Sequence, residues 1–363
     1  MDHERGRCNE FDVVRLSARS TQGELALQGI EAQSSTLDWA RIAQQAKFHR
    51  VHPLVHHTLQ QLECVSLPAK IRAWFEETSR AAVAWNRFGL DELDAILRLL
   101  ERSGLQALVF KGPVFSHLAY GDAGLRHSVD LDVLIQPEHM STVDEMLRDE
   151  EYRRLNPDSS PLRRRIRFFF QKEHHYARGE LVFNLDIHTA AVAPTFNPGI
   201  SFEGLYQRAQ TVTIREGRFR TPATEDLLLL LCLHGAKDRW ARLKRICDIN
   251  ELTRSHPDLD WEAVLVRARV AECERIVALG LHLARTVLDL PLPGQVRRFI
   301  DQHPLMIEWG NRLAARLPRR LDEPAWGSLR ERVTYPLAIQ DTPAGKVRYA
   351  TYAGLGKLMS RIT

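Results

Sequence analysis

The sequence predicts an α+β fold: a short mixed sheet with flanking helices, set between an N-terminal and a C-terminal helical region. Three observations carry this. Apolar residues recur at helical spacing through the first hundred residues and again beyond Pro222. Between them, "LQALVFKG" (105–112) and "SVDLDVLIQ" (128–136) read as short strands, the second strictly alternating. Further on, "HHYARGELVFNLDIHTA" (174–190) reads as a hairpin turning at Arg178-Gly179-Glu180. The 363 residues suffice for about two domains or more. The expected division is a helical region over 1–100, a catalytic domain over 101–218 and a helical domain over 219–363.

In the N-terminal region, Leu37, Ala40, Ile42, Ala43 and Ala46 mark a helix with Thr36 as its expected N-cap. Pro53 kinks or divides it. A long helix is expected to start after Pro68 and stop at Gly104. The strand 128–136 puts Val129, Leu131, Val133 and Ile135 on one face and Ser128, Asp130 and Asp132 on the other. A helix follows with Pro137 in its first turn. In the hairpin's second arm, Phe183, Leu185 and Ile187 oppose Asn184, Asp186 and His188. After Pro222, Thr221 or Thr224 is the expected cap of an apolar helix with Glu225 and Asp226 in its first turn. Two more helices are expected over 259–293, and the last 65 residues are mixed and basic.

Composition narrows the function classes. At 44% hydrophobic and 26% charged, the chain is not of disordered type. Its net charge of +4 permits a phosphate-bearing partner without demanding one. Cys8, Cys64, Cys232, Cys247 and Cys273 are scattered, which argues against a disulfide framework or a structural zinc site and suits a reducing cytoplasm. No apolar h-region opens the chain, and no apolar run is long enough to span a bilayer. A cytoplasmic protein is therefore expected.

The chemistry rests on the acids. On a strand, Asp130 and Asp132 share a face about 6.6 Å apart along the axis, while Leu131 anchors the strand. Two such carboxylates repel and tend to take up a proton. A divalent cation removes that conflict, and hard oxygen ligands suit Mg²⁺, with Mn²⁺ the alternative. Asp186, on an arm of the same alternation, supplies a third carboxylate if that arm pairs beside 129–135. Two ions could then hold the attacking and leaving oxygens of a phosphoryl or nucleotidyl transfer. A lone D-x-D is common and usually means caps or exposed strand positions. The third acid is what lifts this pattern above that.

"FKGPVFSHLAYGDAGLRHSVDLDVLI", followed by "LVFNLDIHTA", resembles the uncharacterised nucleotidyltransferase family of the DNA polymerase beta superfold. Lys111-Gly112 match that superfold's strand-end turn, Arg126-x-Ser128-x-Asp130-x-Asp132 its metal strand, and Asp186 its third acid. "LLLLLCLHGAKDRWARLKRICDI" resembles the helical segment after the catalytic domain. The resemblance covers roughly residues 95–270. One departure stands out: Pro113 follows Gly112 where Gly or Ser is usual, and proline lacks an N–H for phosphate.

The resemblance implies transfer of a nucleoside monophosphate from an NTP, ATP among them, to an acceptor hydroxyl with release of pyrophosphate. Asp130, Asp132 and Asp186 would be the catalytic metal ligands. Lys111, Gly112, Arg126, Ser128, His234 and Lys237 would bind the nucleotide. Arg126 could equally pair with Asp122, Lys111 could be a solvated strand-end charge, and His234 could simply end an apolar helix. The acceptor is open: a small molecule, RNA or a protein, with no signal specific for DNA.

Other features read more plainly. "PLRRRIRFFFQKEHH" (161–175) puts Arg163, Arg165 and Arg167 on one strand face and Ile166, Phe168 and Phe170 on the other, a solvated face over a core face or a groove for nucleic acid. His174, His175 and His188 fit no zinc spacing; His188 shares a face with Asp186 and suits a supporting role. Two rival functions remain: a D-x-D glycosyltransferase, disfavoured by the helical first hundred residues, and a catalytically silent protein of this fold that binds RNA or a protein partner.

Overall fold

The computed structural model describes residues 9–19, 24–62, 67–155, 172–179, 184–193, 196, 199–319 and 328–362. Helices fill the N-terminal region: Glu10–Ser17, Glu24–Gln33, Trp39–His49, His52–Leu59 and Ala69–Arg102. The N-cap of Trp39–His49 is Asp38, whose carboxylate accepts from the Arg41 N–H. Thr36 is not the cap; its hydroxyl donates to the Gln33 carbonyl within the preceding turn. The chain leaves that helix through Arg50 and starts the next at His52, with Pro53 in the first turn, so proline divides rather than kinks. Pro68 precedes the 34-residue helix Ala69–Arg102. Its buried stripe of Phe75, Ala82, Asn86, Gly89, Leu93, Ile96 and Leu100 keeps helical spacing throughout.

Five strands form one sheet in the order β1-β2-β5-β4-β3: β1 (Ala107–Val109), β2 (Asp130–Ile135), β3 (Arg153–Arg154), β4 (Glu173–Ala177) and β5 (Asn184–His188). β2 and β5 run parallel, with Asp132 abreast of Asp186, and the other neighbours are antiparallel. The sheet is therefore mixed, and β5 does lie beside β2. β4 and β5 form the expected hairpin; Glu180 and Phe183 lie outside the described residues, as does the basic stretch 161–171.

Period-two alternation gives the sheet two faces. Leu131, Val133, Ile135, Leu185 and Ile187 pack into a core with Leu90, Leu93 and Leu100 of the long helix and with Val143 and Leu147 of helix Met140–Asp149. Contact is close: a Cβ on Gly89 would lie 2.9 Å from Leu131 Cδ2, so only glycine lets the long helix approach β2 this far. On the other face, Leu108, Phe110 and Leu134 join a larger core that also holds the C-terminal helices. Asp132 shares Leu134's parity, so the acids of β2 lie on the face turned toward the C-terminal region.

A second hairpin, β6 (Gln210–Ile214) and β7 (Gly217–Thr221), lies against β1 and the long helix. The chain then enters helix Thr224–Lys237, whose residues 226–236 are all buried. Its N-cap is Ala223, with no side-chain cap; neither Thr221, which is buried at the end of β7, nor Thr224 plays that part. Around it pack Leu243–Ser255, Trp261–Val270 and Glu274–Leu288. The basic final stretch is also helical, over Gly294–Asp301, Pro304–Arg316, Leu329–Ala338 and Pro343–Ile362. No described helix is long and apolar enough to cross a membrane.

Candidate metal centre and nucleotide site

Asp132, in the middle of β2, is 2% exposed although it carries a charge. β5 brings Asp186 directly beside it and, two residues on, His188 to the same face. One ligand atom from each of Asp132, Asp186 and His188 lies within 4.8 Å of the other two, and all three residues are buried. Such a group could hold a metal ion. Asp130 is half-buried at the start of β2 and stands outside this cluster.

The site's hydrogen bonds are uneven. Lys111 Nζ donates to Asp132 Oδ1 at 3.1 Å, and His188 Nε2 lies 2.8 Å from the same oxygen. Asp132 Oδ2 is buried with no partner among the described residues. Burial pushes the Asp132 carboxyl up, but the Lys111 ammonium and His188 outweigh it and hold the group well below the usual carboxylate range. Asp186 goes the other way. Burial raises its pKa, and His175, whose Nδ1 sits 2.6 Å from Asp186 Oδ1, only partly offsets this. Two adjacent carboxylates, one of them with an unsatisfied buried oxygen, are compatible with a bound metal ion.

Phe110 forms the floor. The Lys111 ammonium lies 4.7 Å above its ring, His188 meets its edge at 5.1 Å and His234 stacks on it at 6.0 Å. Lys111 is thus a part-buried partner of Asp132, not a solvated strand end. His234 is 4% exposed with Nε2 unpartnered, and burial drives its pKa well down. Lys237, at the end of the same helix, is exposed and pairs with Glu173 at 3.1 Å. Glu173 Oε1 also lies 3.9 Å from His188 Nδ1.

Gly112 opens helix Gly112–Tyr120 at φ +63°, and a Cβ there would lie 3.3 Å from the Asp130 carbonyl oxygen. Lys111 stands at the N-cap position without a side-chain cap bond, and Pro113 occupies the first turn. The turn therefore keeps uncapped backbone N–H groups beside the start of β2.

Arg126 finds a partner that the sequence did not suggest. It does not pair with Asp122, which instead accepts from the Gly124 N–H. Its Nε and Nη2 fork onto Asp248 at 2.8 and 3.0 Å, and Tyr120 Oη donates to Asp248 Oδ1 at 2.8 Å. Arg126 Nη1 donates to Ser128 Oγ at 3.1 Å, so buried Ser128 is tied into the same network. The structure thus brings Lys111 and Asp186 to Asp132, and sets Arg126 and Ser128 in a buried lock next to them.

Three residues escaped sequence reasoning in these positions. His188 has the parity of Asp186, the one available signal that it reaches the cluster itself. His175 touches Asp186 because it is the cross-strand partner, which needs the hairpin register. Asp248, 122 residues from Arg126, carries no local signal of their pairing.

No curated protein matches the chain. The model of the uncharacterised nucleotidyltransferase family matches residues 35–289, a span that takes in the long helix, the whole sheet and the helices that close on it. The chain belongs to this family of uncharacterised nucleotidyltransferases.

Proposed function

We propose that the protein transfers a nucleoside monophosphate from an NTP to an acceptor hydroxyl, releasing pyrophosphate with a divalent metal. The observation that carries this is the pairing of Asp132 with Asp186 on adjacent parallel strands, one of them with an unsatisfied buried oxygen. Asp132 and Asp186 would hold the metal. Asp130, on the same strand face, is retained as a further ligand, and His188 either ligates or fixes Asp132. Two carboxylates with one imidazole suit Mg²⁺ but favour Mn²⁺ more than an all-oxygen set would. The metal, when bound, neutralises phosphate charge and acidifies a hydroxyl.

The chain's own residues do the rest. Gly112 lets the backbone approach the phosphates. Lys111 would stabilise the charge that develops on the leaving pyrophosphate. Asp186 takes the proton from the acceptor hydroxyl as its oxygen bonds the α-phosphorus and the bond to pyrophosphate breaks. His234 and Lys237, on a helix beside Phe110, are retained as nucleotide contacts, with Arg126 and Ser128 acting through the loop that precedes Asp130.

The test supplies each α-labelled NTP with Mg²⁺ or Mn²⁺ and fractionated cell extract. Label should pass to one acceptor fraction with the wild type and not with Asp132→Asn. Metal-independent RNA binding without label transfer would favour the silent protein, and transfer from a nucleotide sugar would favour the glycosyltransferase.

A further inference from the structure

Lys244 lies on helix Leu243–Ser255 and is half-buried. Its ammonium makes one hydrogen bond, Nζ to the His127 carbonyl at 2.7 Å, three residues before Asp130. A part-buried ammonium with no carboxylate partner among the described residues is costly, since its partial desolvation is not offset by a direct ion pair. The nearby acids do not supply one. Asp248 has both oxygens engaged by Arg126 and Tyr120, and Asp130 acts on Lys244 only through space. Burial and the neighbouring Arg126 drive the Lys244 pKa well down, which reflects the same missing partner.

We propose that Lys244 binds the polyphosphate of the substrate, reaching across from the C-terminal helical region to complete a cradle with the Gly112 turn and Lys111. This deepens the reading of the site as an NTP site and rests on it. The charge balance supports it. Without a metal, Lys111 is balanced by Asp132 and Lys244 loosely by Asp130. With Asp186 counted as well, a divalent cation turns the net charge of these three carboxylates and two ammoniums from −1 to +1, and a polyphosphate has the anionic charge to match. Lysine suits this role as a compact charge with several rotatable donors. Because its one anchor is a backbone carbonyl, Nζ keeps donors free for phosphate oxygens.

Binding of magnesium tripolyphosphate, followed by calorimetry, tests this apart from turnover. Lys244→Gln can still donate to the His127 carbonyl but has no charge. It should bind at least about tenfold more weakly than the wild type, as expected for a lost charge-assisted contact, with an unchanged Mn²⁺ affinity. Lys244→Arg should recover part of the loss. In the wild type, tripolyphosphate should protect Lys244 from amine labelling but leave exposed Lys70 reactive, a readout independent of how the variants fold. Equal binding by wild type and Lys244→Gln, or labelling of Lys244 unaffected by tripolyphosphate, overturns the inference even if nucleotidyl transfer is observed. Charge-dependent binding without transfer to any acceptor upholds it and defeats the catalytic reading alone. A wild type that does not bind tripolyphosphate defeats the inference.

Discussion

Two buried aspartates, Asp248 and Asp132, each face a basic side chain, but in opposite states of completion. Asp248 takes a forked pair of bonds from Arg126 and a third from Tyr120, so both oxygens are engaged. Asp132 spends one oxygen on Lys111 and His188 and leaves the other buried and empty. A carboxylate can accept about four hydrogen bonds, and leaving buried capacity unused is costly. Asp248, with both oxygens engaged, ties the loop before β2 to helix Leu243–Ser255. Asp132 keeps coordinating capacity in reserve, as a metal site requires.

The sharpest way to break this comparison is to neutralise each aspartate in turn. Asp132→Asn should lower nucleotidyl transfer by at least about 10³-fold, beyond the roughly 10–100-fold that follows loss of a ligand's supporting partner. Its unfolding midpoint should fall, but by less than that of Asp248→Ala, because the asparagine oxygen can still accept from Lys111, which keeps more exposure than Arg126. Retained turnover in this variant would remove Asp132 from the site. Asp248→Ala should do the reverse: a stability loss of about 3–5 kcal/mol from stranding Arg126 in the interior, read by denaturant unfolding. Tyr120→Phe removes one bond of the same lock and should cost about 1 kcal/mol. If Asp248→Ala unfolds like the wild type, the lock is not structural.

A metal titration sharpens the contrast further. Mn²⁺ at a hundred times its dissociation constant should stabilise the wild type by about 2.7 kcal/mol, seen as a raised thermal midpoint. Asp132→Asn should lose the effect, whereas Tyr120→Phe should keep it. Equal stabilisation of wild type and Asp132→Asn would place the ion elsewhere.

The two aspartates also mark what a sequence can disclose. The shared face of Asp130, Asp132 and Asp186 was legible because strand parity is local: Leu131, Leu185 and Ile187 fix which way the acids point, but parity could not show that Asp130 stands outside the cluster. His188 obeys the same parity, yet one histidine without a spacing template carries little weight in a sequence. The Arg126–Asp248 lock was illegible because nothing local couples residues 122 apart. The β6–β7 hairpin escaped for a different reason. Its turn is Arg215-Glu216, with Arg215 at φ +57°, where glycine or asparagine would ordinarily announce the reversal. The helix after Pro222 was legible from its apolar run, but its cap was not, since Ala223 offers no side-chain acceptor.

A substitution at Gly112 tests the link between the two halves of the comparison. Gly112 holds φ +63°, and its would-be Cβ approaches the Asp130 carbonyl to 3.3 Å. Alanine there should cost about 1–2 kcal/mol of stability through the left-handed backbone alone. The contact matters more for function, because Gly112 lies between the two networks. Arg126 Nη1 points at its carbonyl from the lock side at 3.5 Å, and Lys111, one residue earlier, reaches Asp132 on the site side. A shift of a few tenths of an ångström at Gly112 should disturb phosphate binding while the Asp132–Asp186 pairing stands. Gly112→Ala should therefore raise the KM for NTP more than it lowers kcat and should leave Mn²⁺ affinity near the wild-type value. An equal fall in Mn²⁺ affinity would mean that the turn and the carboxylates form a single rigid unit, and that the lock sets the metal centre directly.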